Sequence, residues 1–440
     1  RLHAYSQRHG TGGVLAIALT QVLFHNRREV EGGEMGRQFP WIQARIVALC
    51  MLVNMLDGFD ILAMAYSAPA VASEWGLDPE QLGILFSLGL GGMMAGSIFI
   101  SPLADRFGRR PVIIACLSAA IASMALAGSA PDLTTLAFAR LLTGMAIGGT
   151  LPCINTMAAE YSSSKSRTLA VSLTQAGFPL GASLGGFLAV WLLDAFNWQS
   201  IFLAGAIVSA LLLPVIYLWM PESAAFEQGK AQPASERKSI AATDSGKGQL
   251  ADLLSYRAAL ALLVLCFFAS VMGVYFLFSW LPKILTDVGM EQGDAVLAGA
   301  LLTSGGLVSA LAIGWLAMTR PLVKIIAVGS ALSAILTFLT GQLADNGSII
   351  FLVAFLVGVT INGVQIGLYA AVPSMFPAGV RAGGTGFAIG LGRGGAVLGP
   401  WLTGVLIARG WSPEQLFALM SVPYLLLAVL VLMLARWQRY

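Results

Sequence analysis

Residues 45–71 read RIVALCMLVNMLDGFDILAMAYSAPAV, an apolar run that contains two acids, Asp57 and Asp60. The run exceeds the about 20 residues that an α-helix needs to cross the ~30 Å hydrocarbon core of a bilayer. A charge near the centre of such a span costs at least ~2.5 kcal/mol, so intramembrane acids are functional candidates by default. Because Asp57 and Asp60 are three residues apart, they share one helix face. The stretch predicts a spanning helix with two acids available for proton coupling.

The composition of the whole chain is that of an integral membrane protein. It is 57% hydrophobic and 11% charged, with a mean hydropathy of +0.80, whereas soluble proteins carry about 25% charged residues. The four cysteines lie in apolar runs without metal-ligand spacing, and the three histidines all precede the first long run. We therefore expect no metal site and no cofactor, and we expect proton chemistry within the membrane to use carboxylates.

The hydropathy pattern predicts an all-α integral membrane fold of twelve transmembrane helices in two pseudo-symmetric six-helix bundles. The bundles are residues 41–220 and 258–440, joined by a polar linker at 221–257 and preceded by an N-terminal extension, residues 1–40. The predicted helices are 43–69, 79–103, 111–130, 133–159, 168–193, 199–219, 258–282, 293–318, 321–343, 348–375, 382–407 and 414–436. The acidic and glycine-rich residues 31–34 precede Met35 as a ribosome-binding site would, so we expect the native chain to start at Met35.

The loop charges predict the orientation of the chain. Beyond residue 30, all basic residues outside the spans fall on the side of the N-terminus, except Lys283 and Arg409. Cytoplasmic loops carry the excess of Lys and Arg. Both termini and the linker are therefore predicted to be cytoplasmic.

An internal repeat supports the division into halves. A shift of 214 residues places RTLAVSLTQAGFPLGASLGG (167–186) over RAGGTGFAIGLGRGGAVLGP (381–400) without a gap. The same shift pairs Gly144 with Gly358. Duplicated halves are typical of secondary transporters, whose substrate site lies near the midplane between the repeats.

The loop SPLADRFGRRPV (101–112) concentrates charge in a very short turn. One reading is a simple positive-inside anchor. The other is a two-state cytoplasmic gate, in which Asp105 meets a helix N-terminus or a base of the opposite half and the arginines pair with Glu160 or Glu222. The predicted gate residues are Asp105, Arg106, Arg109, Arg110, Glu160 and Arg381.

Two bases, Arg140 and Arg393, also fall inside predicted spans. Either they form static salt bridges with Asp57 and Asp60, or they serve a substrate. Two acids and two bases leave the midplane neutral, and one bound anion is then balanced by one proton. Because the arginine fork suits a carboxylate, the pattern favours a carboxylic acid that moves with a proton.

Polar and aromatic side chains add candidates for substrate binding. Asn362, Gln365 and Tyr369 follow one stripe of the predicted tenth helix, and the seventh carries Tyr275 and Trp280. An aromatic wall suits a flat aromatic ring, although aromatic residues also face lipid or form interfacial belts.

Several motifs carry a family resemblance. The loop 101–112 resembles the cytoplasmic signature of the major facilitator superfamily. The segments DGFD (57–60), RLLTGMAIGGTLP (140–152), YFLFSWLPKIL (275–285) and residues 362–400 are similar to the aromatic acid:proton symporters. That resemblance implies that Asp57 and Asp60 form the family's acid pair, and it assigns four further charged positions: Arg140, Glu160, Arg381 and Arg393. The absence of histidine from the core departs from some members and leaves no histidine proton relay.

The resemblance implies a symporter that imports benzoate-like acids with protons across a bacterial inner membrane. A proton-coupled exporter of drugs or metabolites with the same fold is the alternative. A receptor should carry a large soluble domain, and an enzyme should carry a nucleophile–base set or a metal cluster; the sequence shows none of these features. The expected partners are a small aromatic carboxylate, protons and the lipid bilayer, with no nucleic acid and a monomeric state.

Overall fold

A computed structural model describes residues 39–162, 166–223, 226, 257–375 and 381–437. Within this part of the chain, twelve helices are long and apolar enough to cross a membrane, which confirms the predicted multi-pass fold. We label them α1 (Phe39–Trp75), α2 (Pro79–Phe99), α3 (Arg109–Gly128), α4 (Leu133–Glu160), α5 (Arg167–Ala195), α6 (Gln199–Trp219), α7 (Arg257–Asp287), α8 (Gln292–Thr319), α9 (Leu322–Gln342), α10 (Ile349–Ala371), α11 (two segments, Arg381–Gly392 and Gly394–Ala408) and α12 (Pro413–Trp437). The predicted start at Met35 and most of the predicted linker lie outside the described residues.

Three predicted helix boundaries were wrong. The first and seventh predicted helices stop at Pro69 and Pro282, but α1 and α7 continue through both prolines. Proline removes one backbone donor, yet membrane helices tolerate it because neighbours satisfy the freed carbonyl. The predicted eleventh helix was continuous, whereas α11 breaks at Arg393, between Gly392 and Gly394.

The helix packing repeats between the two parts of the chain. Helix α1 packs on α5, α2 on α4 and α3 on α6; six helices later, α7 packs on α11, α8 on α10 and α9 on α12. The parts meet through α2 with α11, α5 with α8, and α1 with α7. These contacts place the helices that carry the candidate residues at the centre of the molecule.

Glycines at repeated positions permit this packing. A Cβ added to Gly144 would lie 2.0 Å from the carbonyl oxygen of Gly89 on α2, and one added to Gly358 would lie 1.8 Å from that of Leu302 on α8. Both distances are far below contact, so only glycine allows α4 and α10 to approach their partners so closely. The offset of 214 residues thus links two equivalent helix contacts.

The two parts of the chain are tightly joined near the ends where α2 begins and α11 finishes. A Cβ on Gly404 would lie 2.4 Å from the carbonyl oxygen of Pro79. Deeper in the bilayer, Ser87 donates to the carbonyl oxygen of Val397 at 2.8 Å. Backbones at this separation leave no room for a solute between α2 and α11, so this end of the molecule is closed.

Candidate substrate and proton site

The two acids of α1 are enclosed by protein. Their exposed fractions are 6% for Asp57 and 1% for Asp60. Oδ2 of Asp57 and Oδ1 of Asp60 receive no hydrogen bond from any residue that the structure describes. The Asp60 oxygen faces Gly205 of α6, where an added Cβ would lie 3.1 Å from it. Because a buried ionised group without a partner is costly, these oxygens are candidate proton acceptors.

Arg140 lies on α4 beside this pair and is 4% exposed. Its Nη1 donates to the backbone carbonyl of Asp60 at 2.9 Å, and its Nη2 to that of Ile61 at 3.4 Å. It lies within coulombic range of Asp60, but among the described residues no carboxylate oxygen is within ion-pair distance of its guanidinium. Arg140 therefore ties α4 to the backbone of α1, and the static salt bridge considered from the sequence is not formed.

Gly58, between the two acids, is occupied by a neighbouring backbone. A Cβ at this position would lie 2.1 Å from the carbonyl oxygen of Phe178 on α5. The glycine therefore serves the close packing of α1 on α5, and in this structure it leaves no space for a ligand.

Arg393 sits at the break in α11 and is half-buried. Its Nη1 donates to Oγ of Ser97 on α2 at 3.1 Å, and no other described residue accepts a hydrogen bond from it. Tyr275 of α7 lies within its coulombic range. This cation thus has only a neutral described partner, although it lies inside a membrane span, where an ionised group is normally paired.

An aromatic surface lies close to Arg393. Tyr275 packs edge-on against Phe278, with ring centroids 6.1 Å apart, and lies within coulombic range of Tyr369 on α10. Tyr369 in turn packs against Phe267 at 5.3 Å. The predicted residues Tyr275, Tyr369 and Arg393 are therefore brought together from α7, α10 and α11.

Asn362 and Gln365 extend this region along α10. Asn362 lies where three helices meet, because its Cγ would be 3.2 Å from a Cβ added to Gly306 of α8, and the same Cβ would be 3.0 Å from Pro179 of α5. Gln365 accepts a 2.6 Å hydrogen bond from Ser270 of α7. Both amides thus lie at contacts between central helices.

Trp280 does not share this space. It is 1% exposed, its Nε1 donates to the carbonyl oxygen of Pro400 at 3.0 Å, and its ring packs on Phe86 of α2 at 5.3 Å. Its one polar atom is satisfied and its ring is covered. In this structure Trp280 serves the packing of the closed end rather than an open binding surface.

The predicted gate residues form a network centred on Arg109. Arg109 pairs with Glu160 at 3.1 Å, and its Nη1 donates to Oγ of Ser223 at 2.7 Å. Ser223 in turn donates to Glu160. Glu222 caps α3, accepting from the backbone N–H groups of Arg109 at 2.9 Å and of Arg110 at 3.2 Å, where the helix dipole favours an acid. Both predicted acids thus meet this loop.

One part of the gate prediction was wrong. Asp105 is exposed and its one described partner is Arg109 in its own loop, at 3.6 Å, rather than a residue of the opposite half. The N-terminus of α3 that it was expected to meet is already occupied by Glu222. Arg106 is exposed, and the side chain of Arg381 is outside the described residues.

The sequence reasoning missed Asn54, which is fully buried on α1. Its Nδ2 donates to the carbonyl oxygen of Thr174 at 2.7 Å and to Oε1 of Gln175 at 3.3 Å, while its Oδ1 has no partner among the described residues. Its position three residues before Asp57, on the same helix face, was the signal that could have identified it. Ser97 carried no comparable signal, because only the fold brings it to Arg393.

Comparisons with known proteins agree with this architecture. The family described as Major Facilitator Superfamily matches residues 47–388. The 4-hydroxybenzoate transporter PcaK of Pseudomonas putida is 32% identical over 412 residues, which cover 88% of this chain and 91% of that protein. The 3-(3-hydroxy-phenyl)propionate transporter of Escherichia coli (strain K12) is 33% identical over 398 residues, covering 89% and 94% of the two chains.

A solved structure shows the same fold. The crystal structure of a D-xylose-proton symporter superposes with a TM-score of 0.72 at 16% identity, covering 88% of this chain and 96% of the other. With a family match over most of its length and relatives above 30% identity, the chain belongs to the major facilitator superfamily of transporters, within the aromatic acid:proton symporter family that its motifs resemble.

Proposed function

We propose that this protein is a secondary active transporter that imports an aromatic carboxylic acid together with protons by alternating access. The observation that carries the proposal is Arg393, a half-buried intramembrane cation with a neutral described partner and tyrosine rings nearby. Such a cation favours an anionic ligand, and its fork fits a carboxylate. The names of the relatives, which specify hydroxybenzoate and hydroxyphenylpropionate transport, support an aromatic acid.

In the proposed bound state, the substrate carboxylate replaces the Ser97 hydroxyl on Arg393. The ring then lies against Tyr275 and Tyr369, whose faces supply apolar contact and whose edges favour offset or edge-on packing. Asn362 and Gln365, two turns and one turn from Tyr369 along α10, are placed to read polar substituents on the ring. Arg140 is excluded from this role, because both of its terminal nitrogens already bind the α1 backbone.

Proton coupling is assigned to Asp57 and Asp60. Each has an enclosed carboxylate oxygen without a described donor, and a proton removes the cost of burying that charge. Arg140 and Arg393 balance the two acids, so one bound carboxylate is compensated by one proton. Charge neutrality thus couples the substrate to the proton without a direct contact between them.

Alternating access follows from the packing of the two parts of the chain. The end near Gly404 and Pro79 is closed, whereas Gln175 and Tyr369, in the opposite halves of their helices, are exposed. Polar side chains exposed at membrane depth favour a water-filled cavity. We infer an inward-facing state, and a rocking motion that exchanges this opening for one at the other end.

The remaining assignments follow the same reasoning. The moving bodies are the bundles 41–220 and 258–440, joined by a cytoplasmic linker at 221–257. The positive-inside pattern places both termini in the cytoplasm, and the bacterial relatives favour the inner membrane. Because the proposed site is complete within one chain, the transporter acts as a monomer.

Uptake of radiolabelled 4-hydroxybenzoate by cells that express the protein tests the proposal. We expect accumulation that a protonophore abolishes and that unlabelled benzoates inhibit. Uptake unaffected by the protonophore refutes symport. A panel of benzoates, hydroxycinnamates and phenylacetates in the same competition assay identifies the preferred ring.

A further inference from the structure

A groove between α8, α9 and α10 lies apart from the central site. It has a volume of about 360 Å³ and is lined by apolar side chains that include Ile313 and Leu316 of α8, Val328 and Leu332 of α9, and Val359 of α10. Val328 and Leu332 are exposed large apolar residues, so the groove opens on the surface of the helices. In a membrane, that surface faces lipid.

Two bases close one end of this groove. Arg320, just after α8, and Lys324, in the first turn of α9, both line it and are both exposed. Neither forms a hydrogen bond or an ion pair with another residue that the structure describes. They lie on the same side of the membrane as the loop that holds Arg109, which the charge pattern makes cytoplasmic.

The hydroxyl groups in the lining are already satisfied. Ser309 donates to the carbonyl oxygen of Gly306 at 2.7 Å, and Thr360 to that of Val357 at 3.0 Å, each within its own helix. The groove therefore offers hydrogen-bond donors to a ligand at its basic end only. A ligand that fits has an apolar body and one anionic end.

The length of the groove matches one leaflet of the bilayer. Ser309 and Arg320 are eleven residues apart on α8, which is roughly 16 Å at 1.5 Å per residue. Half of the hydrocarbon core is about 15 Å. A chain that starts beside Arg320 and follows the groove to Ser309 thus spans the inner leaflet.

From these observations we propose that this groove binds an anionic phospholipid of the cytoplasmic leaflet, with its phosphate on Arg320 and Lys324 and an acyl chain along the apolar lining. Basic pockets between membrane helices on the cytoplasmic side have the chemistry to hold such headgroups. The site is separate from the transported acid, because a small aromatic acid would leave most of the apolar length uncovered.

Native mass spectrometry of the full-length protein in detergent, titrated with phosphatidylglycerol or phosphatidylcholine, tests this site. We expect one tightly retained phosphatidylglycerol and weaker binding of phosphatidylcholine. The double variant Arg320→Gln/Lys324→Gln should bind phosphatidylglycerol about thirtyfold more weakly, since each base near an anionic lipid contributes ~1 kcal/mol. The matched control is Arg45→Gln/Arg257→Gln, which removes two exposed bases from the same side of the membrane, outside the groove.

A second variant tests the acyl-chain part of the groove. A Cβ on Gly363 would meet only Ile313, at an ordinary 3.5 Å, so Gly363→Leu is tolerated by the helix packing and fills the groove. It should reduce retention of phosphatidylglycerol with both bases intact. Equal binding of the two lipids to the wild type, or an equal loss in the control pair, overturns the proposal; so does unchanged retention in both groove variants.

Discussion

Arg140 donates its shorter hydrogen bond to the backbone carbonyl of Asp60, at 2.9 Å, and not to the Asp60 carboxylate. A carboxylate held in the fork of an arginine would be fixed as an anion by two charge-assisted bonds. Here the arginine holds the backbone of α1 in place, and the acid keeps an oxygen without a described donor. Asp60 can therefore gain and lose a proton while the α1–α4 link stays intact.

Replacing Asp57 or Asp60 with asparagine should abolish accumulation of substrate against a gradient. Asparagine keeps the size of the side chain but cannot carry a proton. Exchange of labelled for unlabelled substrate, which needs no net proton movement, should persist. Proteoliposomes loaded with substrate measure both activities in one preparation.

Asp194→Asn is the control for these variants, because Asp194 is an exposed acid near the end of α5. It should leave both activities intact. Full proton-driven accumulation by Asp57→Asn and Asp60→Asn would show that the coupling proton is carried elsewhere.

Arg140→Lys should lower the stability of the protein more than its affinity for substrate. The sequence alone predicted weaker substrate binding, but a lysine ammonium cannot reach both the Asp60 and Ile61 carbonyls as the guanidinium does. Losing one hydrogen bond to a charged group costs about 1.5–3 kcal/mol. Thermal unfolding and substrate binding, measured on the same purified sample, separate the two effects; a large loss of affinity at unchanged stability contradicts this assignment.

Arg393→Lys should raise the substrate Kd by about tenfold or more. Lysine keeps the charge but loses one of the two parallel bonds to a carboxylate, and a charge-assisted bond contributes at least ~1.5 kcal/mol. Equilibrium binding of 4-hydroxybenzoate measures the change. Arg409→Lys, at an exposed arginine beyond the end of α11, is the matched control, and equal affinities in the two variants argue for a different carboxylate site.

Much of this fold is readable from the sequence, because membrane helices must satisfy their backbone internally and advertise themselves by length and hydropathy. The spans, the repeat and the burial of Asp57 and Asp60 all follow from that rule. The helix ends at Pro69 and Pro282 do not, since the rule that proline ends helices is drawn from water, where no neighbour replaces the lost bond.

The details of the site were less predictable than its members. Spacing placed Arg140 and Arg393 in the membrane, but only the packing shows that the first binds a backbone and the second a serine. Contacts across helices depend on rotation about each helix axis. Trp280 illustrates the limit, because its helix was right and the direction of its side chain decided its role.

Ser223→Ala should destabilise the network around Arg109. The hydroxyl of Ser223 is fully buried, accepts from Arg109 and donates to Glu160, so its loss leaves two charged groups without a partner. We expect the free energy of unfolding to fall by about 1–3 kcal/mol. Ser118→Ala is the control, since that exposed hydroxyl bonds only to Ile114 on its own helix; equal melting temperatures for the two variants would count against a structural role for the network.

Gly58→Ala decides between two roles for the glycine that separates the acids. The new Cβ would lie 2.1 Å from the Phe178 carbonyl oxygen, a backbone atom that cannot move without shifting α5. Overpacking of this kind costs about 1–3 kcal/mol, so we expect a lower melting temperature and less folded protein. Gly91→Ala, where an added Cβ meets nothing within 4 Å, should be neutral or stabilising, because alanine favours the helix by up to ~1 kcal/mol. If Gly58→Ala instead melts like the wild type and loses only substrate affinity, the glycine leaves room for a ligand in another state of the cycle, and the packing seen here is not what requires it.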